Sequence, residues 1–149
     1  MRRSLGLGLL CAAVLAGCGD SGQDNGYVEA VNRAQTDFAQ TFERLRDRIT
    51  ATSTPQQDRR TLASFRAAVD DAVGDLRAIE PPQEVAALHR RLVGQIGSYG
   101  TALERARRTF GSADARRVLA AQAQLVERIS TISGSINATI NEINDELRR

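Results

Sequence analysis

Few side chains in this chain are of a type and spacing that could do chemistry. Both cysteines, Cys11 and Cys18, lie in the first eighteen residues, which leaves the remainder without a thiol for a disulfide or a zinc site. His89 is the single histidine; it stands beside Arg90 and Arg91, with no Glu three residues before it. Metal sites of helical bundles need paired Glu-x-x-His motifs, so this pattern predicts no metal and places His89 at a boundary or facing solvent. Asp70, Asp71 and Asp75 lack the glycine-containing ligand loop of a calcium site and have Arg66 and Arg77 nearby, which reads as a solvated face. Serine and threonine are plentiful, but a nucleophile needs a base oriented by a third group, and no such constellation is visible. The chain is therefore expected not to be an enzyme and to need no cofactor.

Two other patterns carry more information. Gly94, Gly97 and Gly100 recur at every third position of a helical segment, where each costs about 1 kcal/mol relative to Ala. They predict either close packing against a bulky neighbour such as Phe38, Phe42 or Phe65, or a groove open to a small apolar ligand. A patch of small residues, Ser130, Ser133, Gly134 and Ser135, is placed to face them. The second pattern is the arginines: Arg105, Arg107, Arg108, Arg116 and Arg117 crowd one break in the periodicity, and Arg59 and Arg60 follow another. Residues 41–65 carry five Arg against three acids, and residues 100–125 five against two. Such an end suits an anionic wall polymer or an acidic envelope protein.

The start of the chain sets the compartment. Arg2 and Arg3 precede the uncharged apolar run Leu5 to Leu15, and Gly19 to Gly26 is polar and glycine-rich. That run is about half the roughly 20 residues a membrane span needs, so it reads as an export signal. Leu15-Ala16-Gly17-Cys18 resembles the lipobox of bacterial lipoproteins. The resemblance, confined to residues 1–18, implies cleavage before Cys18, loss of Cys11, and a diacylglyceryl group with further acylation on Cys18. Two or more acyl chains anchor a protein stably, at ~0.8 kcal/mol per buried CH2, where one does not. The implied address is the outer face of the cytoplasmic membrane, or the outer membrane in a host that has one. The segment from Leu76 to His89 also resembles a loose pattern in small helical lipoproteins of GC-rich, actinobacterial-type genomes.

With 149 residues, 20 Arg, no Lys, 18 acids and 4% aromatics, the chain fits one modest domain. Removing residues 1–17 takes Arg2 and Arg3 with it and balances the charges, which argues against nucleic acid as a partner. Residues 18–26 form a tether, and residues 27–149 read as four helices, about 27–51, 55–79, 82–110 and 113–147. Tyr27, Val31, Ala34, Phe38, Phe42, Leu45 and Ile49 make the first apolar stripe, and Val85, Leu88, Leu92, Ile96, Tyr99, Leu103 and Phe110 the third. Thr54 with Pro55 and Gln57 predicts a capping box, Pro81-Pro82 a break, and Ser112 and Asp114 the start of the fourth helix. The fourth is the longest, and its C-terminal turns are expected to overhang, to pair with a second copy, or to fray. The short breaks predict an all-α, antiparallel up-down-up-down four-helix bundle. Its Arg-rich end would lie away from the membrane. The expected role is that of a lipid-anchored binding or scaffold module, or alternatively a bundle with an apolar-ligand cleft near Gly94–Gly100.

Overall fold

The computed structural model describes residues 22–46, 48, 53–110, 112 and 114–149. The signal segment, Cys18, Ile49 and the first residues of the tether lie outside them. The fold is all-α: helices α1 (Gly22–Arg46), α2 (Pro55–Ala78), α3 (Ala86–Thr109) and α4 (Ala115–Leu147), with a 3-10 turn at Gln83–Val85 and no strand among the described residues. Helix α1 begins at Gly22, not at Tyr27, so residues 22–26 of the expected tether are helical.

Local chemistry sets most boundaries. Thr54 accepts from the Gln57 N–H at 3.3 Å while Gln57 Oε1 accepts from the Thr54 N–H at 2.7 Å, a reciprocal capping box with Pro55 at the first helical position. Ile79 turns to extended backbone two residues before the proline pair, and its N–H donates to the Leu76 carbonyl at 3.2 Å. Pro82 does not open the third helix as expected. Its backbone is extended (φ −52°, ψ 149°), and the next residues close a tighter turn in which the Val85 N–H donates to the Pro82 carbonyl at 3.2 Å. The α-helix starts only at Ala86.

The core is assembled from one apolar stripe on each helix. Val31, Val69, Leu76, Val85, Leu92, Ile140 and Ile143 are almost wholly buried. Helix α2 packs against α1 and α3, α3 packs against α4, and the 3-10 turn packs against α4. Aromatic contacts stitch α1 to its neighbours: Phe42 meets Phe65 of α2 at 4.7 Å between ring centroids, and Phe38 meets Tyr99 of α3 at 6.4 Å. The end of α4 neither frays nor overhangs, since Ile143 and Leu147 are buried. The looser half is the first one, where Val118 and Leu125 are only half-buried and Leu119 is 65% exposed. No helix among the described residues is long and apolar enough to cross a membrane.

Candidate functional site

The arginines gather where α3 ends and α4 begins. The Phe110 N–H donates to the Ala106 carbonyl at 2.9 Å and ends α3, and the Ser112 N–H reaches the Thr109 carbonyl. Asp114 then caps α4, its Oδ1 accepting from the N–H groups of Arg116 at 3.0 Å and Arg117 at 3.4 Å. This fixes where the five arginines around the turn sit, although they do not share one state. Glu104 accepts two bonds from Arg107, at 2.8 and 2.9 Å, and a third from Arg108 at 3.2 Å. The Arg107 guanidinium, helped by Arg108, holds the Glu104 carboxyl down to about 2, and Glu104 in turn raises the already high value of Arg107. Arg117 pairs with Asp114 at 3.4 Å.

Arg105 and Arg116 have no acidic partner among the described residues. Arg105 lines a narrow cleft between α3 and α4 together with Arg128 of α4, and Thr109, Gln124, Leu125 and the alanines at 102, 106 and 121 complete the lining. Sequence reasoning passed over Arg128 because it lies eleven residues beyond the crowded turn; three helical turns bring it back alongside Arg105. Arg59 and Arg60 are exposed, and no hydrogen bond or ion pair joins them to this group.

The glycine stripe is not packed against the phenylalanines. Gly94 has nothing within 4 Å of where a Cβ would stand, Gly97 meets only Val73 at 3.9 Å, and Gly100 lies under the Arg66 side chain, whose Cζ would be 2.8 Å from such an atom. Arg66 is itself paired with Asp70 at 2.8 Å. Of the small patch on α4, Ser133 faces α3, accepting from the Tyr99 hydroxyl at 2.7 Å while its own proton goes to the Ile129 carbonyl. Ser130, Gly134 and Ser135 are exposed. Two surface depressions, of about 470 and 350 Å3, are lined by Gln124, Glu127, Arg128, Thr131 and Ile132, and by Arg66, Thr101, Glu104, Arg105 and Arg108; the three glycines line neither.

His89 is neither at a boundary nor in solvent: it is 4% exposed. Its Nε2 lies 2.9 Å from the Leu76 carbonyl and its Nδ1 3.2 Å from the Tyr27 hydroxyl, and the two rings meet edge-on. A carbonyl can only accept, so Nε2 carries the proton and Nδ1 accepts from Tyr27. Burial pushes the imidazole below its ordinary range, partly opposed by the Leu76 bond, and pushes the Tyr27 hydroxyl up to about 12. The signal was present in the periodicity, because position 89 is four after Val85 and three before Leu92. The two arginines that follow it mask that register. No group of three or more metal-ligating side chains occurs among the described residues.

The chain matches no protein-family model, and comparison with curated proteins and with solved structures gives no similar protein.

Proposed function

We propose that this is a lipid-anchored envelope protein that binds and does not catalyse: Cys18 holds it to the membrane, and the arginines at the α3–α4 turn engage an anionic wall polymer. The four helices would run up-down-up-down, each antiparallel to the next. Two progressions of contacts support this, since Leu76 meets His89 and Arg66 lies over Gly100 between α2 and α3, while Arg91 pairs with Glu142 and Tyr99 with Ser133 between α3 and α4. In such a bundle, the α3–α4 turn stands at the end opposite the tether. The observation that carries the binding role is that Arg105 and Arg116 stay without acidic partners among the described residues, while Glu104 and Asp114 occupy their neighbours. The absence of catalysis rests on His89, whose two nitrogens are both committed inside the core.

The anchor is tested by feeding cells a clickable fatty acid: label on the wild-type chain, lost in Cys18→Ser with release to the medium, is expected. An unlabelled wild-type chain would overturn it. The binding role is tested by cosedimentation with purified cell wall. Salt-sensitive pelleting that Arg105→Glu with Arg116→Glu abolishes is expected, and pelleting indifferent to salt and to charge reversal would sink it. Retrieval of an acidic protein in place of wall from crosslinked envelope would reassign the partner.

A further inference from the structure

We infer that Arg105 of α3 and Arg128 of α4 form a two-pronged site for phosphate groups carried in series on a linear polymer. The inference rests on the binding role proposed above and names the site and the ligand class. Both arginines are exposed, line the same cleft from opposite helices, and have no acidic partner among the described residues. The cleft is about 30 Å3, room for about one water, far below what an apolar ligand needs. Recognition must therefore come from the rim. There, two planar guanidinium forks can each grip a phosphate through paired N–H donors, with the Gln124 amide beside them. Alanines at 102, 106 and 121 line the cleft with Leu125, so most of the surface between the two arginines is made of small side chains over which a polymer backbone can lie.

What flanks the cleft favours a polymer over a single ion. Arg105 also borders the depression that contains Arg66, Arg108 and the already paired Glu104, and Arg128 borders the one that holds Glu127 and reaches Thr131. Arg66, itself paired with Asp70, thus lies with Arg105 and Arg128, which are unpaired among the described residues, on three consecutive helices, whose axes pack roughly 8–10 Å apart. One phosphate in water on an exposed arginine is screened within about 10 Å and held weakly, whereas a chain of phosphates can engage the row together and release counterions.

The test uses the full-length protein in detergent micelles, with long-chain sodium polyphosphate, inorganic phosphate and poly-glutamate as probes. Polyphosphate is expected to bind, with a salt dependence whose log–log slope falls by about 2 in Arg105→Gln with Arg128→Gln. Affinity in that variant should drop about tenfold or more, against less than about twofold in Arg59→Gln with Arg60→Gln. Replacing both cleft arginines by Lys keeps the charge but removes the forks, and should lose affinity while keeping the slope. Inorganic phosphate binding as tightly as polyphosphate would make the site one for a free ion and overturn the polymer. Poly-glutamate binding equally well would overturn phosphate. Equal losses in the two glutamine variants would overturn the site itself. If these fail while wall pelleting still depends on Arg116, the general binding role stands and this assignment does not.

Discussion

The Tyr27 hydroxyl donates to Nδ1 of His89 across 3.2 Å, and through the opposite ring nitrogen that contact continues to the Leu76 carbonyl. One buried imidazole thereby ties the first turns of α1 to the facing ends of α2 and α3. Its protonation would turn Nδ1 into a donor facing the Tyr27 hydroxyl, whose own proton would then need another acceptor.

Acid should weaken the fold through this contact. The native His89 takes up a proton only below its ordinary value, while the unfolded chain does so near pH ~6.5. The unfolded state binds more protons in that interval, so stability falls as pH drops through it and is full above it. Thermal melts between pH 7.5 and 5 should show the decline, and His89→Gln should flatten it. The Glu104 carboxyl, held at about 2, would add its own loss with an onset at lower pH than that of His89.

Tyr27→Phe should cost about 1–3 kcal/mol, because it leaves a buried ring nitrogen without a donor. The Leu76 carbonyl still receives the Ile79 N–H when His89 is replaced, so the orphaned group there is the tyrosine hydroxyl. Tyr27→Phe combined with His89→Leu should therefore cost less than the two single changes added together, a coupling measurable by urea denaturation. Simple additivity would mean that the pair does not interact.

Gly94→Ala should stabilise α3 by about 0.5–1 kcal/mol, since nothing lies near the new methyl group and the helix gains propensity. Gly100→Ala should gain less, because it displaces the Arg66 side chain from its place beside Asp70. Urea midpoints of the two variants check the order. A loss of stability at position 94 would mean that something does pack there.

Thr54→Ala should lower stability by about 1 kcal/mol, and Thr54→Ser should recover most of it, because the hydroxyl oxygen serves the Gln57 N–H. Equal melting temperatures for the Ala and Ser variants would show that the cap is dispensable.

Glu104→Gln should raise polyphosphate affinity severalfold. The change removes the acid that occupies Arg107 and Arg108 next to Arg105. Unchanged affinity at low salt would place the ligand away from this face.

Helices were legible wherever apolar residues recur at three and four, and the Thr54 and Asp114 caps were legible because a short polar side chain can serve only nearby amides. The start of α1 was not, since Gly22 to Gly26 has a loop's composition and takes the helix only as the extension of Tyr27, Val28 and Val31 packed below it. The glycines misled in the opposite sense. Their spacing implied a neighbour, yet only Gly100 has one close by, and it is an arginine side chain. The Arg105–Arg128 pairing depends on how α3 and α4 slide along each other. That offset is set by contacts far from the turn, such as Tyr99 with Ser133.

Helix α4 behaves as a cantilever. Thr139, Ile140 and Ile143 root its far half in the core, while the half that begins at Asp114 rests on α3 with its apolar edge partly in water. Its amides should exchange with solvent fastest between residues 115 and 128 and slowest beyond 136. Since Arg128 sits where the beam begins to stiffen, an anion bridging it to Arg105 would act as a strut, and the slowing of exchange on its N-terminal side would report occupancy without any label.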